Sequence, residues 1–160
     1  MATTLYRMWI HAVFPTFYQR PVITPILECH LQKILADHLH SLGCQAEIIN
    51  GTSNHVHLLF QHNPTKSIAD IMRDIKGDSS NWMNQQPVME KKFAWDKGYG
   101  AFSVSHSQHD RVMEFIRDQK NYHQKFTYDQ EFQRLATLTG ARPNTYHPAV
   151  PGMRSLRQAQ

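Results

Sequence analysis

The sequence contains little cysteine and no long apolar run. Its two cysteines, Cys29 and Cys44, fall in a predicted helix and at the start of the following predicted strand, which argues against a disulfide framework and against a cysteine-based zinc site. No stretch of about eighteen apolar residues occurs, and the N-terminal segment lacks the basic start and small-residue cleavage site of a signal peptide. These absences favour a cytoplasmic protein that does not span a membrane.

Internal repeats and low-complexity blocks are also absent, and 160 residues with 41% hydrophobic content suit a single core. We expect one domain over residues 1–138 and an irregular, proline-containing tail over residues 139–160. The formal net charge of +4 is compatible with nucleic acid, although many proteins that never bind nucleic acid share it. Eleven histidines are the more unusual feature.

Hydrophobic periodicity and turn residues predict a mixed order of strands and helices. The predicted elements are a strand at 4–14, a helix from Thr24 to Gly43, strands at 45–50 and 55–61, a helix capped by Ser67, a strand within 93–105, a helix from Asp110 to about Lys125 and a short helix at 129–138. Gly77 is a point at which the second helix could be interrupted. This order matches an α+β, ferredoxin-like antiparallel sheet with helices on one face and an appended C-terminal helix.

The fragment NHVHLLF, residues 54–60, carries a His-x-His pair on a predicted strand. Because alternate side chains of a strand share a face, His55 and His57 point to the same side while Val56 points to the core. Two imidazole nitrogens could then bind one divalent cation. The competing interpretation is a chance pair on a solvated strand face, and the pair alone does not decide between the two.

The surroundings of this pair resemble the HUH nucleases, and in particular the single-tyrosine transposases of the insertion-sequence-200/605 type. The similar segments are IINGTSNHVHLLFQHNPTKSIADIMRDIKGDSSNWMN, FAWDKGYGAFSVSHSQ and VMEFIRDQKNYHQKF, with Glu131 beyond them. The resemblance implies a ferredoxin-like transposase that binds hairpin-forming single-stranded DNA as a homodimer, the helix of one protomer serving the histidines of the other. It implies no nucleotide cofactor.

The chemistry implied by the resemblance is cleavage and rejoining of DNA through a 5′-phosphotyrosine link. A divalent metal, Mg²⁺ or Mn²⁺, held by His55 and His57 would polarise the scissile phosphate for attack by a tyrosine on a helix. In the family, the tyrosine stands four residues before a glutamine that completes the metal site. That glutamine matches Gln119, so the tyrosine position is Phe115, which has no hydroxyl and cannot form the link.

Three explanations are open for Phe115: a substitution made to trap a DNA complex, a natural lineage that has lost cleavage, or a different tyrosine that has taken over. Tyr122 lies three residues after Gln119, on roughly the same helical face, and is the best substitute by spacing. The alternative is that Tyr122 only packs against a neighbouring helix or subunit, as most helical tyrosines do. Tyr128, beyond the helix, is a weaker candidate.

Basic and polar residues along the second predicted helix and the loop beyond it are candidates for contacts with DNA phosphates. They are Lys66, Arg73, Lys76, Ser80 and Lys97. A solvated charged helix face is the ordinary alternative, so this interpretation depends on the resemblance. Three functions therefore stay open: a metal-dependent single-strand DNA transposase, a domesticated hairpin-binding dimer that cannot cut, and an α+β interaction domain in which the His-x-His pair is incidental.

Overall fold

Four antiparallel strands form one sheet in the order β2-β3-β1-β4, in a computed structural model that describes residues 2–143. The strands are β1 (Trp9–Pro15), β2 (Gln45–Thr52), β3 (His55–Gln61) and β4 (Gly100–Val104). The central strand β1 pairs with both β3 and β4, which places Val13 beside His57 and Gly100. The predicted ferredoxin-like class is confirmed, while most of the predicted tail over 139–160 lies outside the described residues.

Three of the five α-helices described begin at residues whose side chains cap them. The five helices are α1 (Pro25–Ser41), α2 (Ile68–Asn84), α3 (His109–Arg117), α4 (Gln119–Tyr122) and α5 (Tyr128–Thr139). The side chains of Thr24 and Ser67 accept backbone N–H bonds at the starts of α1 and α2, and Thr127 forms a capping box with Gln130 at the start of α5. No helix in the described part of the chain has both the length and the apolar character of a membrane span.

The alternation of side chains along β1 and β3 divides the sheet into two differently covered faces. Helices α1 and α2 pack on the face that carries Phe14, Leu58 and Phe60, and these residues form the largest core cluster. Helices α3 and α5 cover the opposite face through Ile116 and Tyr128. The His-x-His pair of β3 belongs to this second face, so the appended helices lie directly over the histidines.

The predicted third helix is broken rather than continuous. Helix α3 ends at Arg117, and Asp118, at φ −89° and ψ 13°, separates it from α4. The side-chain amide of Asn50 on β2 donates to the carbonyls of Ile116 and Arg117, which satisfies acceptors that a continuing helix would have used. The break turns Gln119 toward the sheet.

Two other boundaries differ from the predicted ones. The first strand begins at Trp9 rather than at residue 4, because pairing with β3 and β4 starts only there. Gly77 does not interrupt α2, which runs unbroken from Ile68 to Asn84. A Cβ at Gly77 would meet nothing within 4 Å, so the glycine occupies an exposed position of the helix. Glycine lowers the stability of a helix, but the packing of α2 on the sheet outweighs this loss.

Lys76 joins α2 to the loop that precedes β4. Its Nζ donates to the backbone carbonyls of Asp96, Lys97 and Gly98 at 2.7, 3.2 and 3.0 Å. Burial lowers the pKa of this amine from its ordinary value of 10.5 to about 8. The amine is therefore bonded within the protein, and contact of Lys76 with a DNA phosphate stays a prediction.

Replacing Lys76 with methionine is expected to remove a pH dependence of stability. Because the folded-state pKa of Lys76 is below the unfolded value, the unfolded chain binds more protons between about pH 8 and pH 10.5. The free energy of unfolding of the unaltered protein should therefore rise with pH across that window. Urea unfolding at several pH values should show a shallower rise in Lys76→Met than in Lys66→Met, which removes an exposed lysine. Equal slopes of unfolding free energy against pH in the two variants would show that burial does not lower the pKa of Lys76.

Candidate metal centre and nucleophile position

The histidine pair lies at the start of β3, on the face covered by α3, α4 and α5. Both side chains, His55 and His57, are fully buried at 0% exposure. Their rings lie 5.2 Å apart, in an edge-to-face arrangement, on the same side of the strand. The strand alternation predicted from the sequence is confirmed, whereas the competing picture of a solvated strand face is wrong.

Gln119 meets the pair from the first residue of α4. Its Oε1 lies 3.0 Å from Nε2 of His55, and the whole side chain is buried. The structure therefore brings together the three residues predicted as metal ligands. In this structure they meet within one chain.

Two further residues, His123 and Glu131, complete the cluster. Oε2 of Glu131 lies 3.4 Å from Nε2 of His55, 3.1 Å from Nε2 of His57 and 3.1 Å from Nε2 of His123. One donor atom from each of these four side chains lies within 4.8 Å of every other. The chain thus supplies three imidazoles and one carboxylate to a single buried point.

Neither added residue was assigned a role from the sequence, although one signal was present. His123 lies four residues after Gln119, which places both side chains on one side of a helical turn. In the structure, Nε2 of His123 lies 3.1 Å from Oε1 of Gln119. Glu131 has no comparable local signal, because its position depends on how the chain turns between α4 and α5.

Gln119 also holds Glu131 in place. Its Nε2 donates to Oε1 of Glu131 at 2.7 Å, which leaves Oε2 of that carboxylate facing the three imidazoles. The amide oxygen of Gln119 faces His55 and His123. Gln119 therefore orients the carboxylate through its nitrogen and lies close enough, through its oxygen, to act as a ligand as predicted.

The environment holds His55 and Glu131 in the protonation states that suit a cation, whereas it favours the charged form of His123, which would lose a proton on binding a metal. Burial lowers the pKa of His55 to about 3, and the nearby His57 adds to this effect. Burial alone would raise the pKa of Glu131, but hydrogen bonds from His123 and His57 outweigh it and lower the pKa. Burial alone would lower the pKa of His123, but its hydrogen bond to Glu131 raises it. An ionised carboxylate and a neutral imidazole are the forms that bind divalent metals.

Phe115, the expected nucleophile position, lies at the edge of this cluster. Its ring centroid is 5.7 Å from that of His57 and 5.3 Å from that of Tyr122. The hydroxyl of Tyr122 accepts a hydrogen bond from Nη1 of Arg134 at 3.3 Å, and its ring packs on Phe126 at 4.9 Å. These contacts agree with a packing role for Tyr122, and its nucleophilic role stays a prediction.

Tyr128 is nearer to the histidines than Tyr122 is, but its environment disfavours the phenolate. Its ring centroid lies 5.0 Å from that of His55, and the side chain is buried at the start of α5. Burial strongly raises the pKa of the phenol, and the charge on Glu131 raises it further. A tyrosine that resists ionisation in this way is a poor nucleophile.

Comparison with known proteins identifies the family. The family profile described as Transposase IS200 like matches residues 4–119. The chain belongs to this family. The matched region ends at Gln119, so His123 and Glu131 lie beyond it. No curated protein matches the sequence significantly.

Solved structures support the fold assignment of this family member. A candidate transposase from Deinococcus radiodurans R1 has 23% identity and a TM-score of 0.58, and the match covers 74% of this chain and 95% of that one. A REP-associated tyrosine transposase bound to a REP hairpin has 11% identity and a TM-score of 0.56, with 77% and 74% covered. At these identities, the similarity shows the shared fold.

An open cavity of about 560 Å³ adjoins the cluster of this transposase-family chain. It lies between the β2–β3 turn and the connection from α4 to α5, and its wall includes His123 and Tyr128. The other lining residues are Gln19, Thr52, Ser53, Asn54, Lys120, Gln124, Phe126 and Thr127. Of the cluster residues, His123 lines this cavity, while His55, His57, Gln119 and Glu131 lie behind its wall.

The predicted phosphate contacts lie away from this cavity. Lys66, Arg73 and Ser80 belong to α2 or precede it, and α2 packs on the sheet face opposite to the histidines. Arg73 pairs with Asp70 at 2.8 Å, and Ser80 donates to a backbone carbonyl at 3.4 Å. Lys66 and the loop residue Lys97 are exposed. The structure does not bring these side chains to the metal cluster, and their contact with DNA stays a prediction.

Proposed function

We propose that this transposase-family protein binds hairpin-containing single-stranded DNA and places one of its phosphates at a divalent metal held by the buried cluster. The observation that carries the proposal is the convergence of His55, His57, His123 and Glu131 at one point, with Gln119 beside them. The structural neighbour bound to a REP hairpin supports a DNA hairpin as the ligand class. The basic residue Lys120 lines the cavity beside His123, and although its Nζ pairs with Glu28 at 2.7 Å, it is a candidate for contact with the approaching strand.

The donor set fits a divalent cation. Ligands about 2.0–2.2 Å from one cation lie roughly 3–3.5 Å from one another. The distances of 3.1–3.4 Å between Oε2 of Glu131 and the three Nε2 atoms match this separation. Imidazole nitrogens suit transition metals better than Mg²⁺, so of the two predicted metals we favour Mn²⁺. When bound, the cation would withdraw charge from a phosphate oxygen.

The chain's own residues leave the cleavage step incomplete. Phe115 occupies the family's nucleophile position without a hydroxyl, while the hydroxyl of Tyr122 is bonded to Arg134. The bond from Arg134 leaves a lone pair on the phenol oxygen, so a 5′-phosphotyrosine link requires either Tyr122 as the nucleophile or a tyrosine restored at position 115. The missing hydroxyl at position 115 favours a DNA-binding scaffold that does not cut, and transposition through Tyr122 is the second candidate.

Restoring the hydroxyl at position 115 is expected to restore covalent capture of DNA. The unaltered protein, given Mn²⁺ and hairpin-forming single-stranded DNA, should give no adduct on a denaturing gel. Phe115→Tyr should give one, because the phenol would stand beside His57.

The controls for this experiment separate the candidate functions. Adding His57→Ala to Phe115→Tyr should abolish the adduct. An adduct with the unaltered protein that Tyr122→Phe removes would establish a relocated nucleophile instead. Phe115→Tyr protein that binds the metal and DNA but forms no adduct would contradict a retained transposase site.

We also propose that the chain forms a homodimer, as the family resemblance implies. The outer strands of the described sheet, β2 and β4, leave edges that a second copy could cover. Because the donors of the metal cluster come from one chain, the dimer would not be needed to build that cluster. Light scattering at micromolar concentration should report a dimer that still binds Mn²⁺, and a monomer would contradict the proposal.

A further inference from the structure

His11 on β1 contacts the metal cluster although no role has been assigned to it. The side chain is 3% exposed, and its Nε2 lies 2.8 Å from Nδ1 of His57. The ring centroids are 5.1 Å apart and the planes are inclined by 28°, so the two rings meet edge to edge along this N···N contact. His57 is therefore contacted at both ring nitrogens, at Nδ1 by His11 and at Nε2 by Glu131.

The tautomer of His57 determines whether it can bind a metal. A neutral imidazole carries one proton, so a nitrogen that gives its lone pair to a cation leaves the proton on the other nitrogen. Nε2 of His57 faces the carboxylate of Glu131 at 3.1 Å and is the nitrogen directed at the cluster. With a cation bound there, Nδ1 carries the proton and donates it to Nε2 of His11.

In the metal-free protein, the donor and the acceptor of the hydrogen bond between His11 and His57 are exchanged. Without a cation, Nε2 of His57 donates its proton to the ionised Glu131, and Nδ1 of His57 becomes the acceptor. His11 then donates from its own Nε2. Either nitrogen of an imidazole can carry the proton, so a histidine at position 11 satisfies both arrangements without a change of charge.

We propose that His11 is a positioning residue, which fixes the ring of His57 and accepts its Nδ1 proton so that the Nε2 lone pair is directed at the metal. The inference rests on the metal site of the proposed function. Hydrogen bonds of this kind to the outer nitrogen of a metal-bound histidine orient the ring and raise its basicity as a ligand. A metal-bound histidine without such a hydrogen-bond partner is less firmly fixed in its ring orientation and its tautomer.

Aromatic neighbours hold His11 itself in place. The rings of Phe102 and Phe115 lie edge-on to it, with centroids at 5.8 and 6.1 Å. Burial lowers the pKa of His11 to about 3, and His57 adds to this effect. The pocket is thus shaped for a planar, uncharged ring, and phenylalanine fills it while removing only the hydrogen-bonding nitrogens.

Metal affinity in matched variants tests the proposal. In calorimetric titrations with Mn²⁺, His11→Phe should bind about 10–100-fold more weakly than the unaltered protein, because the partner of Nδ1 is lost. His11→Gln places an amide that can accept or donate near the former Nε2, and it should recover most of the affinity. His109→Phe, which changes a histidine packed on Trp9 at 4.4 Å, is the matched control and should bind Mn²⁺ normally.

Nitrogen-15 NMR of the unaltered, Zn²⁺-loaded protein gives a readout that does not depend on how the variants fold. The spectrum should place the proton of His57 on Nδ1, as a low-field resonance protected from exchange with water. A proton on Nε2, or an Nδ1 proton that exchanges freely, would overturn the role of His11. So would Mn²⁺ affinity that is unchanged in His11→Phe while the unaltered protein binds the metal. If the unaltered protein binds neither Mn²⁺ nor Zn²⁺, the metal site itself is refuted, and this inference with it.

Discussion

Glu131 carries a carboxylate into a place that is almost closed to water, and the second face of the sheet is organised around that carboxylate. The side chain is 1% exposed, and a buried charge is costly unless it is paired and hydrogen-bonded. Three imidazoles and the amide of Gln119 supply those contacts. Loss of any one partner would leave an uncompensated polar group in the core. This requirement ties β3, α4 and α5 to one another.

Local backbone features satisfy that requirement. The break at Asp118, held by the Asn50 amide, aims Gln119 into the site from the first residue of α4. The capping box at Thr127 fixes the start of α5, and Glu131 follows one turn later. A continuous helix through residue 125 would carry the later residues of the segment away from the sheet. The irregular geometry between α3 and α5 is therefore what builds the cluster.

Features encoded by nearby residues were predictable from the sequence. The shared face of His55 and His57 follows from strand alternation, and the helix starts follow from Thr24 and Ser67. Gln119 required the family resemblance, because nothing in its immediate surroundings marks it. The structure brings these residues together at one buried point.

The features of the site that could not be predicted from the sequence depend on contacts between segments that are distant along the chain. His11 reaches His57 only through the pairing of β1 with β3, and Glu131 through the turn between two helices. The break at Asp118 depends on Asn50 of another strand, so helical periodicity could not reveal it. The face of the sheet that α2 covers could not be predicted either, and contact of its basic residues with DNA stays a prediction. Sequence spacing defines faces within an element but not which elements meet.

The central claim is that one chain holds a divalent cation among three imidazoles and Glu131. The most direct measurement is diffraction from crystals of the protein grown with Mn²⁺, with data collected for the anomalous signal of manganese. One strong anomalous peak is expected within about 2.0–2.3 Å of Nε2 of His55, His57 and His123 and of a Glu131 oxygen. Well-ordered crystals with no peak at the cluster, or with manganese bound only elsewhere, would contradict it.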